Sequence, residues 1–113
     1  MRYLLNSAVI TAPGFYHYEL VEPEWAKTWY AAGPVVSTIG YPETAAALGE
    51  LLGVSVSVDR RIINMQPSDE ALVFRLTLPP GSQRIDPRDK GRLGREILAG
   101  NFELGLLTRI DDA

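Results

Sequence analysis

The sequence contains no cysteine and only one histidine, His17. A chain without cysteine has no disulfide framework, thiolate zinc site, thiol nucleophile or iron–sulfur ligation. A single histidine excludes catalytic histidine pairs and metal sites built from several imidazoles. Its place on an alternating segment beside tyrosines predicts a surface position. We therefore expect neither a metal nor a cofactor.

Long apolar runs and phosphate-binding glycine loops are also absent. The segment before Ser7 has one arginine and a three-residue apolar run. This is too short for a signal-peptide core of ~7–15 residues or a membrane span of ~20 residues. No P-loop, dinucleotide-binding glycine pattern or Gly-x-Ser-x-Gly elbow occurs. The sequence thus predicts a soluble, cytoplasmic protein without membrane contact.

The composition that is present is typical of one globular domain spanning residues 1–113. Hydrophobic residues make up 46% of the chain and charged residues 22%, close to the globular average. The 11 basic and 14 acidic residues give a formal net charge of −3. Because proteins that coat duplex nucleic acid are usually strongly basic, this balance argues against that class. A small anionic ligand stays possible, since it needs only a few local donors.

Hydrophobic periodicity alternates between strand and helix along the chain. The predicted strands are Tyr3–Leu5, Phe15–Val21 as a possible edge strand, Val35–Ile39, Val54–Val58 running on to Ile63, Ala71–Leu78 and Phe102–Ile110. The predicted helices run from Pro23 to the stop at Gly33-Pro34, with Trp25, Trp29 and Ala32 on one face, from Pro42 to Gly53, and from Asp86-Pro87 to about Ala99. This alternation predicts an α/β fold: a single domain with a central mixed β-sheet of about five strands flanked by helices.

The junction between the strand that starts at Val35 and the next helix is the strongest local indication of a ligand site. A buried strand runs into the turn Ile39-Gly40-Tyr41 and then into a helix that begins at Pro42. The N–H groups and positive dipole end of a helix N-terminus suit a phosphate. Asn6-Ser7, at the end of the first strand, is expected at the same edge of the sheet. Spacing alone leaves a purely structural role for Gly40 and Tyr41 open.

Two adjacent arginines, Arg60 and Arg61, follow the fourth predicted strand. Neighbouring side chains on a strand point to opposite faces, so only one of them is expected to reach a ligand cleft. The alternative is a solvated pair. A further basic segment around the third helix is interleaved with acids and is predicted to be a solvated face.

Short motifs follow one another over nearly the whole chain in a recognisable order. They are Tyr3-Leu4-Leu5-Asn6-Ser7, Ser37-Thr38-Ile39-Gly40, Glu43-Thr44-Ala45, Leu51-Leu52-Gly53-Val54, Val58-Asp59-Arg60, Met65-Gln66-Pro67, Ala71-Leu72-Val73-Phe74-Arg75-Leu76 and Phe102-Glu103-Leu104-Gly105-Leu106-Leu107. Their order and spacing resemble a small family found in archaeal viruses, phages and bacteria. Its best understood members are viral ring nucleases that act as anti-CRISPR proteins against type III systems.

The resemblance implies an α/β fold with a central mixed sheet and a symmetric homodimer. In the nuclease members, cyclic tetra-adenylate binds in a cleft across the dimer. It is cut without metal, through attack of ribose 2′-hydroxyls on neighbouring phosphates, with a histidine as general acid. That histidine follows the Ile-Gly of the strand–helix turn, where this chain has Tyr41. A phenol, with an ordinary pKa of ~10, is a poorer acid near neutrality.

A second departure lies after the predicted strand Ala71–Leu78. The nuclease members carry an arginine and a nearby glutamate before the glycine that corresponds to Gly81, and this chain has neither. Arg60 does match an arginine of the nuclease pocket. The ligand-binding residues that the resemblance and the turn together predict are Asn6, Ser7, Thr38, Gly40, Tyr41 and Arg60, with Tyr41 also in the catalytic position.

The sequence therefore predicts a homodimeric binder of a cyclic oligoadenylate-type second messenger, with weak or absent metal-independent cleavage. Two alternatives stay open. One is an interaction protein that contacts a host protein or nucleic acid without recognising oligoadenylate. The other is an active ring nuclease with its site rebuilt around Tyr41. Large aromatic residues on two short elements also favour a twofold dimer; they are Phe15, Tyr16, Tyr18, Trp25 and Trp29.

Overall fold

The computed structural model describes residues 1–6, 12–78, 80–82, 85, 86 and 88–111. Five strands form one mixed sheet in the order β2-β5-β4-β1-β3. The strands are β1 Arg2–Asn6, β2 Tyr16–Val21, β3 Val36–Ser37, β4 Glu70–Leu76 and β5 Phe102–Arg109. The helices are α1 Pro23–Ala31, α2 Pro42–Leu52 and α3 Lys90–Leu98. The prediction of an α/β fold with a mixed sheet of about five strands is confirmed.

The parallel strands β1 and β4 form the centre of the sheet, with Tyr3 opposite Ala71 and Leu5 opposite Val73. β3 adds in parallel to the other side of β1, whereas β5 runs antiparallel to β4 and β2 antiparallel to β5. Near-continuous apolar runs explain this placement, because parallel strands are buried on both faces. The carboxyl ends of β1, β3 and β4 consequently meet at one edge of the sheet.

Helices pack on one face of the sheet. The predicted core stripe of α2 is buried, with Leu48 at 0% and Leu52 at 2% exposure. α3 joins through Leu93, which packs with Ala47 and Ile85. The larger cluster on this face comprises Leu4, Ala26, Trp29, Ile39, Ala45, Leu48, Leu52, Leu72, Phe74 and Leu104. Within the described part of the chain, no helix has the length and apolarity needed to cross a membrane.

The opposite face of the sheet is covered by a loop that includes Met65. Arg109, at the end of β5, fastens this cover by donating through Nη1 to the Met65 carbonyl at 2.5 Å. The same guanidinium pairs with Asp111, with Nε–Oδ1 at 2.7 Å and Nη2–Oδ2 at 3.0 Å. Asp69 fixes the following turn, because its Oδ2 accepts from the Gln66 N–H at 2.8 Å. One face of the sheet is therefore covered by helices and the other by a loop without regular secondary structure.

The Arg109–Asp111 pair predicts an acid-sensitive part of the stability. The hydrogen bonds from Arg109 lower the pKa of Asp111 to about 2. Because this folded-state pKa lies below the ordinary value, the contribution is present above about pH 4 and is lost as the pH falls through about 2. We expect Asp111→Asn to lower the free energy of unfolding at pH 6 and to have a smaller effect at pH 2. Urea denaturation of both proteins across this range measures the difference, and an equal effect at both pH values would contradict the assignment.

The predicted strand Val54–Val58 is wrong. Residues 54–63 form neither strand nor helix, and a backbone bond from the Asp59 N–H to the Ile39 carbonyl at 2.8 Å ties them to the chain after β3. The physical reason lies in β3, which ends at Ser37. The following Gly40-Tyr41-Pro42 turn enters α2, so the segment has no neighbouring strand long enough to form a ladder.

The predicted start of the third helix is also corrected. α3 begins at Lys90 with Asp89 as its N-cap, whose side chain accepts from the Arg92 N–H at 3.0 Å, whereas Asp86 caps the preceding turn through the Arg88 N–H at 2.9 Å. Trp25 is 44% exposed although it shares a helix face with buried Trp29. Trp25 lies beside β2 at the edge of the sheet, where the described part of the chain provides no further strand to cover it.

Candidate functional site

A pocket of about 250 Å³ opens where β1 and β4 end and α2 begins. Parallel strands bring such edges together, and open α/β sheets use them for ligands. Asn6 reaches the pocket from the last position of β1, and Tyr41 reaches it from the residue before α2. The full lining is Asn6, Tyr41, Thr44, Phe74, Leu76, Ile85 and Leu93.

The floor of this pocket is apolar and tightly packed. Phe74 is 2% exposed and stacks on Phe102 with ring centroids 6.0 Å apart. Ile85 and Leu93, at 7% and 3% exposure, complete the wall from the α3 side. A concave apolar surface with a few polar groups at its rim is the usual form of a small-molecule site. It suits a flat, weakly polar group such as a nucleobase.

The turn between β3 and α2 is held from both sides. The Thr38 N–H and hydroxyl both donate to the Leu4 carbonyl, at 3.1 and 2.9 Å. The Ser37 hydroxyl accepts from the Ile39 N–H at 3.2 Å, and the Ile39 carbonyl accepts from Asp59. These bonds fix Gly40 and Tyr41 relative to the sheet before any ligand arrives.

Arg60 passes directly over Gly40 and stacks on the Tyr41 ring. Its Cζ lies 4.7 Å from the ring centroid. A Cβ added at Gly40 would lie only 2.7 Å from the Arg60 Nε, so glycine is what allows this close approach. Among the described residues, Arg60 has no carboxylate partner. The site therefore holds a positioned cation whose charge is not already neutralised by an ion pair within that part of the chain.

Arg61 points away from this site. Its guanidinium pairs with Asp59, and this hydrogen bond raises the pKa of Arg61 above its usual value. A weaker electrostatic interaction with Tyr3 places Arg61 toward the loop-covered face of the sheet. The two adjacent arginines thus separate as the alternation rule suggested, although the segment is not a strand.

A second charged group adjoins the pocket and was not anticipated from the sequence. The Oε2 atom of Glu43, in the first turn of α2, is buried and has no hydrogen-bond partner among the described residues. Arg88 lies close enough to Glu43 and Tyr41 for a weak electrostatic interaction with each. Its main partner is Asp86, at 3.1 Å from Nε to Oδ1. Hydrogen bonding within this pair raises the pKa of Arg88 and lowers that of Asp86.

The predicted site residues are brought together only in part. Asn6 and Tyr41 line the pocket, and Gly40 and Arg60 lie beside Tyr41. The Thr38 hydroxyl donates to the backbone of β1, where it stabilises the turn. Ser7 lies outside the described residues. The apolar floor of the pocket could not be predicted from the sequence, because Phe74 and Leu93 lie in hydrophobic patterns that are typical of any core strand or helix.

Three comparisons relate this chain to known proteins. A family model described as STIV B116-like matches residues 2–86. The uncharacterized protein YddF of Bacillus subtilis (strain 168) is 31% identical over 109 residues, which is 95% of this chain and 95% of YddF. Among solved structures, B116 of Sulfolobus turreted icosahedral virus is similar in fold, with a TM-score of 0.70 at 15% sequence identity, over 96% of this chain and 98% of that chain.

Proposed function

We propose, from the premise that this chain belongs to the STIV B116-like family, that it binds a cyclic oligoadenylate-type nucleotide as a cytoplasmic homodimer and cleaves it slowly or not at all. The observation that carries this proposal is the stacking of Arg60 on Tyr41, 4.7 Å from guanidinium carbon to ring centroid, beside the pocket. It places a cation for a phosphate next to an apolar recess for a base.

The cation of Arg60 and the apolar pocket beside it indicate the chemistry of the ligand. Charge-assisted hydrogen bonds from arginine to phosphate are among the strongest in proteins. Bases of single-stranded nucleotides are commonly held by stacking and apolar contact, with a few hydrogen bonds to their edges. Asn6 at the pocket rim offers an amide, the side chain that suits the donor and acceptor of an adenine edge. A short adenylate offers a phosphate for Arg60, a base for the apolar recess and an adenine edge for the Asn6 amide.

Binding is better supported than cleavage. Tyr41 occupies the position after Ile39-Gly40 at which the nuclease relatives described above carry a histidine. The segment before Gly81 lacks the arginine and glutamate expected there. Arg88 lies near Tyr41 but is engaged with Asp86. The general acid is thus replaced, and the nearby second cation is already paired.

The proposal is tested by calorimetric titration of the purified chain with cyclic tri-, tetra- and hexa-adenylate and with linear tetra-adenylate. We expect saturable binding of at least one cyclic ring. Chromatography of the same mixtures reports any cleaved product. Absence of heat and of product for every ring at ligand concentrations near 1 mM would reject the proposal, since such a limit corresponds to only about 4 kcal/mol of binding free energy.

Gly40→Ala offers a probe that moves Arg60 without removing it. The new Cβ would meet the Arg60 Nε at 2.7 Å, and the far end of a flexible side chain can shift at little cost to the fold. We expect thermal unfolding close to that of the unmodified chain and a loss of nucleotide affinity of about fivefold to 20-fold, less than complete loss of one charged hydrogen bond. Unchanged affinity in the folded variant would show that the position of Arg60 over the turn is irrelevant to binding.

A second candidate, an interaction protein that does not recognise oligoadenylate, is favoured by exposed apolar side chains. Leu98 is 90%, Ile62 86% and Phe15 72% exposed. Isolated exposed residues of this kind are common, however, and they lie on separate elements. Replacing all three by serine should leave nucleotide binding intact under the first proposal, which distinguishes the two.

A further inference from the structure

Residues 54–59, which follow α2 along the chain and approach the turn after β3, have few backbone partners among the described residues. The Val54 N–H donates to the Gly49 carbonyl at 3.1 Å and the Asp59 N–H to the Ile39 carbonyl at 2.8 Å. Between these two bonds, residues 55–58 make no backbone hydrogen bond to any described residue. The segment packs against α2 at Gly49, where an added Cβ would lie 2.7 Å from the Val54 carbonyl oxygen. An open groove of about 590 Å³, lined by α2 and by the segment, leaves space beside it.

The sequence of this segment is that of a strand. Val54-Ser55-Val56-Ser57-Val58 alternates strictly between a β-branched apolar residue and serine. Val56 packs toward the helix-side core, while Ser55 and Ser57 are exposed and Val58 is 48% exposed. An exposed edge is normally protected by lysine, proline or a bulge, and residues 54–58 contain no lysine or proline. The residue types favour a β-strand, and the backbone groups of residues 55–58 have no hydrogen-bond partner within the described part of the chain. A strand from elsewhere could supply these partners.

We propose that a second copy of this chain supplies that strand, by antiparallel pairing of residues 55–59 with the same residues of the copy across a twofold axis. The inference rests on the homodimer of the proposed function and assigns its interface. It places the contact away from the aromatic residues that the sequence suggested, of which Trp29 is buried and Tyr16 half-buried.

Self-pairing fits the charge distribution of the segment. If the axis passes through Ser57, Val56 lies opposite Val58 and Ser55 opposite Asp59, so no like charges meet. Asp59, Arg60 and Arg61 of the two copies then lie at opposite ends of the paired strands. With a rise of about 3.4 Å per residue, the two Arg60 residues are about 20 Å apart. Two Arg60–Tyr41 sites consequently flank the axis, an arrangement that a ring-shaped ligand of twofold symmetry could bridge.

Proline substitution tests the pairing in the absence of ligand. Successive N–H groups of an extended chain point to opposite sides. In the proposed paired strand the Asp59 N–H keeps its bond to Ile39, so the Val58 N–H would point to the partner copy and the Ser57 N–H away from it. By sedimentation velocity at micromolar concentration we expect a dimer of the 12.5 kDa chain. Val58→Pro should raise its dissociation constant about tenfold or more, because it removes one inter-chain hydrogen bond from each copy and so two from the dimer. The matched control Ser57→Pro removes none of these bonds and should raise the dissociation constant distinctly less.

Cysteine crosslinking provides a second measurement that does not depend on proline being tolerated. The chain has no cysteine, so single substitutions at Ser55, Ser57 and Val58 each introduce one thiol. A disulfide needs Cα atoms within about 7 Å. With the axis at Ser57 only residue 57 meets this limit, because the two Val58 Cα atoms would lie about 8 Å apart. Under mild oxidation we expect linked dimers for at least one of the three, at least about tenfold faster than for Leu98→Cys, an equally accessible thiol on α3.

The outcomes separate this inference from the proposed function. A monomeric chain would overturn both the homodimer and this interface. A dimer that resists Val58→Pro and crosslinks no faster at residues 55–58 than at Leu98 would overturn the interface alone. Nucleotide titration of the same preparations reports independently whether the ligand-binding proposal stands.

Discussion

Arg60→Ala is expected to weaken the binding of cyclic tetra-adenylate by roughly 10- to 150-fold, or about 1.5–3 kcal/mol, the usual range for hydrogen bonds to charged groups. The guanidinium is already oriented by the Tyr41 ring, so little ordering is needed when a phosphate arrives. It also has no carboxylate partner within the described ranges of the chain, so no ion pair there has to be broken first. Isothermal titration calorimetry at fixed ionic strength measures the loss.

Arg61→Ala is the matched control for this prediction. It removes the same charge one residue away, but the Arg61 side chain pairs with Asp59 and lies toward Tyr3. Exposed ion pairs contribute little, so we expect a change of about twofold or less in affinity. Equal losses from the two variants would mean that the arginines act only as a diffuse basic patch. Arg60→Lys should recover part of the loss, since it keeps the charge but not the planar fork.

The unmodified chain is expected to cleave cyclic tetra-adenylate slowly or undetectably, and Tyr41→His to raise the rate. When a ribose 2′-hydroxyl attacks the neighbouring phosphate, the departing 5′-oxygen must gain a proton. A well-placed general acid contributes about 10²–10⁴-fold to such a step. Histidine carries a transferable proton near neutrality, whereas phenols ordinarily retain theirs. We expect a gain at or below the low end of this range, because the arginine and glutamate of the nuclease loop are also missing.

Tyr41→Phe separates a catalytic phenol from a stacking ring. It keeps the ring on which Arg60 packs and removes only the hydroxyl. We expect the residual cleavage rate to be unchanged and the affinity to fall by no more than a few-fold, about the value of one neutral hydrogen bond. Multiple-turnover cleavage by the unmodified chain that disappears in Tyr41→Phe would make the phenol a true acid catalyst and the chain a ring nuclease.

The parts of this molecule that could be predicted from sequence are those in which local preference and tertiary packing agree. β4 combines an alternating apolar pattern with a central place in the sheet, and α2 combines Pro42 at its start with Gly53 in a left-handed conformation at its end. The divergence of Arg60 and Arg61 also agrees with the alternation rule, although the segment forms no strand.

The remainder depended on contacts between distant segments. Residues 54–58 have strand preference, but a strand needs a neighbour, and β3 is only two residues long. Asp86 and Asp89 both have the side chain of a good cap, and the sequence does not distinguish them; in the structure Asp89 is the N-cap of α3. The burial of the Glu43 Oε2 atom also could not be predicted from the sequence. Acidic residues are common in the first turn of a helix, and their side chains are usually solvated.

The two edges of the sheet differ in how readily they accept another chain. β2 carries exposed His17 and Glu19 and runs directly into Glu22-Pro23, features that discourage edge-to-edge association. At the far edge β3 is only two residues long, and residues 54–58, which the proposed pairing uses, have no such protection. Under the pairing proposed above, a chain that has joined its one unguarded edge to that of a copy has no equivalent surface left to offer. Growth therefore ends at two chains, whereas two receptive edges on the same sheet would allow an open-ended filament.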